Sequence, residues 1–381
     1  MARKILYISG TRADYGLMQH TLREISSCPG MELELVVTGM HLMHEFGRTV
    51  DEIYADGFKV HEINETYESD DKVSMARFAG RFMKKLVKKV IRIKPDVILI
   101  LGDRAEALAG AVIGSYLSIP VAHVHGGDVS STVDEHVRHA ITKLSHVHFA
   151  ATRKSANRII KMGEEPSRIF VVGEPGADAI LNEKLMEPSE LSEKYSLDLT
   201  KPIILVVQHP VTMEVSDVDE QMRKTLEAVA ELAQQTVVVY PNADAGSRKM
   251  IDAIKKFEKY PFIKSFKTLP RNDYLSIMKH ANVIIGNSSS GIIESKFFGL
   301  PSVNIGTRQA GREKKDNVID ASYDKEQIKL AVMKCLTDKK FLKRMEKLKS
   351  SIKPGNAGKI IASVLSEIDI NGSFIQKRMV Y

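Results

Sequence analysis

The sequence predicts an α/β protein made of two doubly wound domains that face each other across a central cleft. Short apolar runs alternate with helical patterns along the whole chain, several runs are apolar without alternation, and the pattern resets near the middle. The first runs are Ile5–Ile8, Leu35–Val37, Val97–Leu101 and Val121–Val124, and the later ones are Ile203–Val207, Val237–Val239 and Val283–Ile285. Strands that are apolar on both sides are covered by helices on both faces, which is the parallel arrangement with right-handed crossovers. After Val171-Val172-Gly173, a polar stretch over 183–201 precedes Pro202 and a new series of strands. The predicted division is residues 1–180, residues 181–365 and a polar tail over 366–381. The last helix is expected near 355–368.

Composition narrows the function classes. A chain of 381 residues with 43% hydrophobic and 27% charged residues supports two cores and is not disordered. Two cysteines, Cys28 and Cys335, lie too far apart in sequence to suggest a disulfide framework, and a reduced, cytoplasmic setting is expected. The longest apolar stretch, Leu108–Ala122, is broken by Gly110, Gly114 and Pro120. It falls short of the ~20 residues of a membrane span and reads as a helix running into a strand. The apolar run behind the basic N-terminus is shorter than a signal peptide requires and reads as a first strand. The net charge of +7 points to an anionic partner. The densest basic run, Lys84–Arg92, alternates with Phe82, Leu86, Val90 and Ile93 at helical spacing, so it is a surface helix. No nucleic-acid recognition motif accompanies it, and small phosphate-bearing metabolites are the expected ligands.

Ligands of open α/β sheets bind beyond the carboxyl ends of the strands, so those ends carry the functional reading. Behind the first strand, Ser9–Gly16 joins a tight turn at Gly10 to a helix N-terminus and to Arg12, whose guanidinium suits phosphate oxygens; the plain alternative is a turn with Asp14 as a cap. It matches neither GxGxxG nor a Walker loop, so no dinucleotide or ATP site is assigned. Asp103 leaves a buried strand just before Arg104 and is expected either to cap the next helix or to take part in chemistry. The segment His123–Asp128, followed by Asp134–His139, is the densest titratable cluster of the chain. At helical spacing Asp134 shares a face with Arg138, and Glu135 with His139. His123/His125 and His146/His148 fit no zinc spacing; each pair is expected to line a pocket without metal. In the second half, Gln208-His209-Pro210, Tyr240–Asp244 with Asn242, and Gly286–Glu294 with Ser288 and Ser289 follow strands, and Arg308 follows the next one. Serial hydroxyls beside a helix start make a phosphate cradle, and Glu294 is placed to accept from ribose hydroxyls.

Together, Gly10-Thr11-Arg12, Gly102-Asp103-Arg104, His209-Pro210, Pro241-Asn242, Gly286–Ser289, Gly291–Glu294 and Gly306-Thr307-Arg308 resemble the UDP-N-acetylglucosamine 2-epimerase family along nearly the whole chain, in the family's order. The resemblance implies two Rossmann-like domains of the glycosyltransferase-B type. Gly10–Gly16, Gly126-Gly127 and Arg138–Lys143 look like the hydrolysing branch, which releases UDP and N-acetylmannosamine for sialic-acid synthesis. The implied reaction is anti elimination of UDP to a 2-acetamidoglucal, then addition of water with inversion at carbon 2. By similarity Asp103 and Asp134 are acid–base groups and Arg138 orients them. His209 meets the diphosphate or the reacting sugar, and Arg12, Arg104, Asn242, Ser288, Ser289, Glu294 and Arg308 hold UDP. Some members carry a catalytic Glu where this chain has His125, which brings His125 into the acid–base set. The resemblance implies no metal or cofactor and a homodimer. Open alternatives are the same reaction on UDP-2,4-diacetamido-2,4,6-trideoxyglucose, a non-hydrolysing epimerase, a glycosyltransferase of this fold, and a nucleotide-sugar sensor.

Overall fold

A computed structural model describes residues 2–130, 133–352 and 355–380. The chain divides into two compact units. The first comprises Met1–Ser69, Val73–Leu181 and Pro354–Tyr381, and the second Asp70–Lys72 and Asn182–Lys353. The first unit therefore recovers the C-terminal segment, which the sequence reading divided between the second domain and a separate tail. The reason is packing. The helix Ala357–Glu367 buries Ala357, Ile361, Ala362 and Leu365 in the same core as Met18, Leu22 and Ile25 of the helix Arg12–Ser27. Gly358 permits this approach, since a Cβ there would lie 3.1 Å from the Thr21 Cα.

The first unit holds β1 (Arg3–Ser9), β2 (Met31–Val37), β3 (Lys59–Glu62), β4 (Val97–Leu101), β5 (Val121–Val124), β6 (Val147–Ala150) and β7 (Ile169–Val171). They form one parallel sheet in the order β3-β2-β1-β4-β5-β6-β7. The second unit holds β8 (Ile203–Val207), β9 (Gln235–Val239), β10 (Ile263–Phe266), β11 (Val283–Gly286), β12 (Ser302–Ile305) and β13 (Val318–Ala321), in the parallel order β10-β9-β8-β11-β12-β13. The strand order reverses between β1 and β4 and again between β8 and β11. Those are the two places where loops diverge and leave room for a ligand. The segments 10–12, 102–104, 208–210 and 286–289 all fall there.

The basic run lies on the helix Lys72–Ile93, which buries Phe78, Phe82, Leu86, Val90 and Ile93 and turns its lysines outward. Burial of each large apolar side chain contributes about 1.5–3 kcal/mol, which holds the helix without help from its charges. The stretch 108–122 resolves into the helix Ala105–Tyr116 and β5, as its composition predicts. No helix among the described residues is long and apolar enough to cross a membrane.

The C-terminal segment is pinned by a buried ion network. Lys377 Nζ donates to the carbonyls of Lys143 at 2.6 Å and Ser145 at 2.8 Å, and lies 2.6 Å from Glu164. Glu164 also pairs with Lys143 and with His148 Nε2 at 3.1 Å. Burial pushes the Glu164 carboxyl up, but hydrogen bonds from His148, Lys143 and Lys377 outweigh it and hold the group at about 2. A carboxyl whose folded pKa lies below its unfolded value stabilises the fold above the unfolded pKa and loses that contribution as pH falls through the folded one. Glu164→Gln is therefore expected to cost of order 2–3 kcal/mol at pH 7. Urea titrations should show the gap to the parent narrowing as pH falls from about 5 towards 2.

Candidate active site

The loops at the β1–β4 switch point are organised by buried polar groups. Thr11 caps the helix Arg12–Ser27, and Asp14, which the plain reading makes the cap, is its capping-box partner three residues on. Asp14 Oδ2 accepts from the amides of Gly10 at 3.1 Å and Thr11 at 2.9 Å, and Oδ1 accepts from the Ser9 hydroxyl. Ser9 Oγ lies 2.8 Å from His41 Nε2, and His41 Nδ1 lies 2.7 Å from Thr49 Oγ1. Burial raises Asp14 to about 6 against the Ser9 hydrogen bond, and it lowers His41 to about 3 with help from Arg104. Arg12 opens the helix above this network. Arg104 Nη2 donates to the Tyr67 hydroxyl at 2.9 Å, and its Nε lies 3.3 Å from Glu106. A Cβ at Gly10 would sit 2.2 Å from the Glu106 carboxylate, so a larger residue there would displace that side chain. Two guanidiniums, Arg12 and Arg104, thus belong to the loops of adjacent strands β1 and β4.

Asp103 caps nothing. The N-cap of the helix Ala105–Tyr116 is Arg104, with no side-chain cap bond. Asp103 is instead held by Arg138, which projects from the helix Val133–Leu144 and is only 4% exposed. Arg138 Nη1 also donates to the Asp128 carbonyl at 3.0 Å and to Ser130 Oγ at 3.4 Å. One buried guanidinium therefore ties the loop behind β4 to the loop behind β5. Asp134 lies one turn before Arg138 on the same helix and is partly buried. Glu135 and His139 share a face as expected, 3.7 Å apart.

Three of the four paired histidines, His123, His146 and His148, are engaged inside the fold. His123 and His148 are fully buried, and burial drives His123 to about 3. His123 Nε2 lies 2.7 Å from the Gly102 carbonyl, and His146 Nδ1 accepts from the Val121 amide at 3.2 Å. These rings fasten strands and loops together. His125 behaves differently, because it stands beyond the end of β5 at φ +64° and so leaves the face of His123. Its Nδ1 lies 3.6 Å from Asp128 Oδ2 and its Nε2 3.3 Å from Glu174 Oε2. Asp128 Oδ1 accepts from Ser155 Oγ at 2.7 Å. Glu174 was not legible as a site residue. Its one local signal is a carboxylate at a strand end, just before Pro175 opens a helix.

In the second unit His209 and Asn287 interlock. The His209 amide donates to Asn287 Oδ1 at 2.7 Å, and Asn287 Nδ2 donates back to the His209 carbonyl at 2.8 Å. The Asn242 amide donates to His209 Nδ1 at 3.1 Å, which fixes that nitrogen as an acceptor. Arg308 Nη1 reaches the Asn287 carbonyl at 3.2 Å. His209, Asn242 and Arg308 are thus brought together beyond β8, β9 and β12. Ser289 stands at the N-terminal boundary of the short helix Ser290–Ile293 without a side-chain cap bond, and Ser288 Oγ lies 3.0 Å from Ser290 Oγ. Glu294 is buried and its Oε1 accepts from Arg271, so that oxygen is already engaged within the protein. Among the described residues no three His, Cys, Asp or Glu side chains group as a metal ligand set.

Two parallel doubly wound sheets, with charged and hydroxyl side chains gathered at both switch points, define a protein of the glycosyltransferase-B fold. The fold is shared with the crystal structure of the UDP-GlcNAc 2-epimerase from Neisseria meningitidis bound to UDP-GlcNAc, with a TM-score of 0.80, 18% identity, and coverage of 96% of this chain and 100% of that one. The family model described as UDP-N-acetylglucosamine 2-epimerase matches residues 23–366, and the chain belongs to that family. It is 42% identical to the UDP-N,N'-diacetylbacillosamine 2-epimerase (hydrolyzing) of Legionella pneumophila, over 85% of this chain and 87% of that protein. It is 34% identical to a UDP-N-acetylglucosamine 2-epimerase of Neisseria meningitidis, over 89% of each.

The Gly126-Gly127 pair belongs to the site's frame. At Gly127, φ is +75° and a Cβ would lie 2.3 Å from the Ser155 carbonyl oxygen. At Gly57, φ is +80° with nothing within 4 Å. Gly127→Ala should cost at least ~2 kcal/mol, from strain plus a backbone clash, whereas Gly57→Ala should cost about 1 kcal/mol from strain alone. Equal losses in urea denaturation would contradict this account of the loop.

Proposed function

We propose that the chain is a hydrolysing 2-epimerase of a UDP-linked 2-acetamido sugar. The observation that carries this reading is the buried Arg138 bridge, which sets Asp103 at the carboxyl end of β4 in a chain of this family. In the first step the carbon 2–hydrogen bond breaks towards a base. Its electron pair forms the carbon 1–carbon 2 double bond, and UDP leaves carbon 1 with the pair of the glycosidic bond. In the second step water bonds to carbon 1 and gives up a proton, while carbon 2 takes a proton on the opposite face. The sum is UDP-sugar plus water giving UDP and the free, inverted sugar.

Asp103 and Asp134 supply acid–base groups with His125 beside them, and Arg138 holds Asp103 in one orientation. Arg12, Arg104, Asn242, Ser288, Ser289, Glu294 and Arg308 bind UDP, and His209 contacts the diphosphate or the reacting sugar. Guanidiniums and amides aimed at the departing diphosphate stabilise the charge that develops on it. The relative from Legionella pneumophila favours UDP-N,N'-diacetylbacillosamine, which is a UDP-2,4-diacetamido-2,4,6-trideoxy sugar, as substrate. UDP-N-acetylglucosamine is the second reading, favoured by the relative from Neisseria meningitidis.

Steady-state UDP release from both sugars distinguishes the readings. The diacetamido sugar is expected to show a kcat/KM at least ~10-fold higher, since a site built to pair a polar group discriminates against a substrate that lacks it. The reverse order would favour the second reading, and UDP release that requires an added acceptor would favour a glycosyltransferase. Arg138→Lys keeps the charge but loses the fork, and it should lower kcat about 10²-fold with little change in KM.

A further inference from the structure

We infer that Glu174 is a second proton-transfer station of the first unit, with His125 acting behind it as a positioning residue. The inference rests on the proposed epimerase chemistry and deepens it. Among the described residues, six other than glycine have positive φ: Arg48, Lys94, Ser118, His125, Ser196 and Ala233. Only His125 among them is buried. A left-handed residue with a Cβ costs about 1–2 kcal/mol, and glycine avoids that cost. Such strain in the interior is held where a side chain must be aimed. Here it is the imidazole, and it is aimed at two carboxylates.

The neighbouring buried histidines are seated differently. His123 Nε2 meets the Gly102 carbonyl at 2.7 Å, and His148 Nε2 meets Glu164 at 3.1 Å, both as aligned hydrogen bonds. His125 Nε2 and Glu174 Oε2 face each other at 3.3 Å with both atoms inaccessible to solvent, yet neither makes an aligned hydrogen bond. A small rotation of either side chain closes that gap and lets one proton serve both. The ring's other nitrogen faces Asp128, whose Oδ1 is tied to Ser155 and whose carbonyl is tied to Arg138. The imidazole is thus backed by a fixed carboxylate and cannot turn outward without leaving it. Glu174 keeps 12% of its side chain exposed. Asp128 is as exposed, at 14%, but its Oδ1 is taken by Ser155, so the end of the relay left to exchange a proton is Glu174, and His125 orients it.

The chemistry needs such a station. One proton leaves carbon 2 during elimination, and another reaches carbon 2 from the opposite face during hydration. Asp103 on Arg138, with Asp134 one turn earlier on the same helix, serves one of these transfers. Glu174 on His125 serves the other, standing beyond β7 rather than β4 and exchanging its proton with the reacting sugar or the attacking water. A carboxyl held by an imidazole that is itself fixed by a second carboxylate moves that proton without repositioning.

The test uses the full chain and its isosteric variant Glu174→Gln. With the UDP-sugar that the parent turns over, kcat should fall about 10²-fold while KM stays within about threefold, and one limb of the kcat–pH profile should disappear. Glu174→Asp should recover part of the rate. Nitrogen-15 NMR of the ligand-free protein, labelled at histidine, gives a readout independent of turnover: the His125 Nε2 resonance should move in Glu174→Gln and stay in place in Glu135→Gln. An unchanged Nε2 resonance, or a Glu174→Gln variant with parental kcat and pH profile, would overturn the assignment. A parent that releases no UDP from either sugar, with the Nε2 resonance still responding to Glu174→Gln, would instead overturn the epimerase reading on which the assignment rests.

Discussion

The first unit depends on where one buried charge finds its partners. A guanidinium at 4% exposure is costly unless its donors are met, and removing a partner from such a site costs about 3–5 kcal/mol. Arg138 meets that demand with the Asp103 carboxylate, the Asp128 carbonyl and Ser130. All three lie on loops that leave β4 and β5, so satisfying the charge and fixing the site are one event. The helix Val133–Leu144 that carries Arg138 is anchored at its other end, where Lys377 caps the carbonyls of Lys143 and Ser145. The C-terminal segment thereby supports the helix from the end opposite Asp134.

The second unit reaches a similar result with neutral groups. Asn287 and His209 exchange two hydrogen bonds across adjacent strand ends, and Asn242 adds a third to the ring. Gly286 allows the strands to end so close together, since a Cβ there would sit 2.2 Å from the Val207 carbonyl oxygen. A histidine whose Nδ1 accepts from a backbone amide has one ring orientation. That order suits a group meant to meet an anion at a defined place.

The central strands were legible because β1, β4, β8 and β11 are covered on both faces and read as apolar runs, and β5 does so but for His123. β3, with the sequence Lys-Val-His-Glu, and β13 lie at sheet edges and carry polar residues that mimic loops. Strand-end motifs drew attention to Asp103, Arg138, His209 and Asn242, because polar groups at buried strand exits need a reason. Which polar group pairs with which was not legible. Asp103 reads equally as a cap and as a catalytic group until Arg138 arrives from 35 residues away. Glu294 reads as a ribose acceptor, and nothing local shows that Arg271 engages one of its oxygens. Glu174 neighbours His125 only through the order β5-β6-β7, which no local pattern encodes. Lys377 reaches Ser145 across 232 residues, so the tail looked solvated when read alone.

The central claim is that the chain moves a proton at carbon 2 of a UDP-linked sugar as it releases UDP. Proton NMR of the protein with UDP-N,N'-diacetylbacillosamine in deuterated buffer tests it most directly. The account predicts free UDP together with an inverted free sugar that carries deuterium at carbon 2. Released sugar with its original carbon 2 hydrogen and configuration would contradict it, and would reduce the Asp103–Arg138 and His125–Glu174 arrangements to the frame of a simple hydrolase.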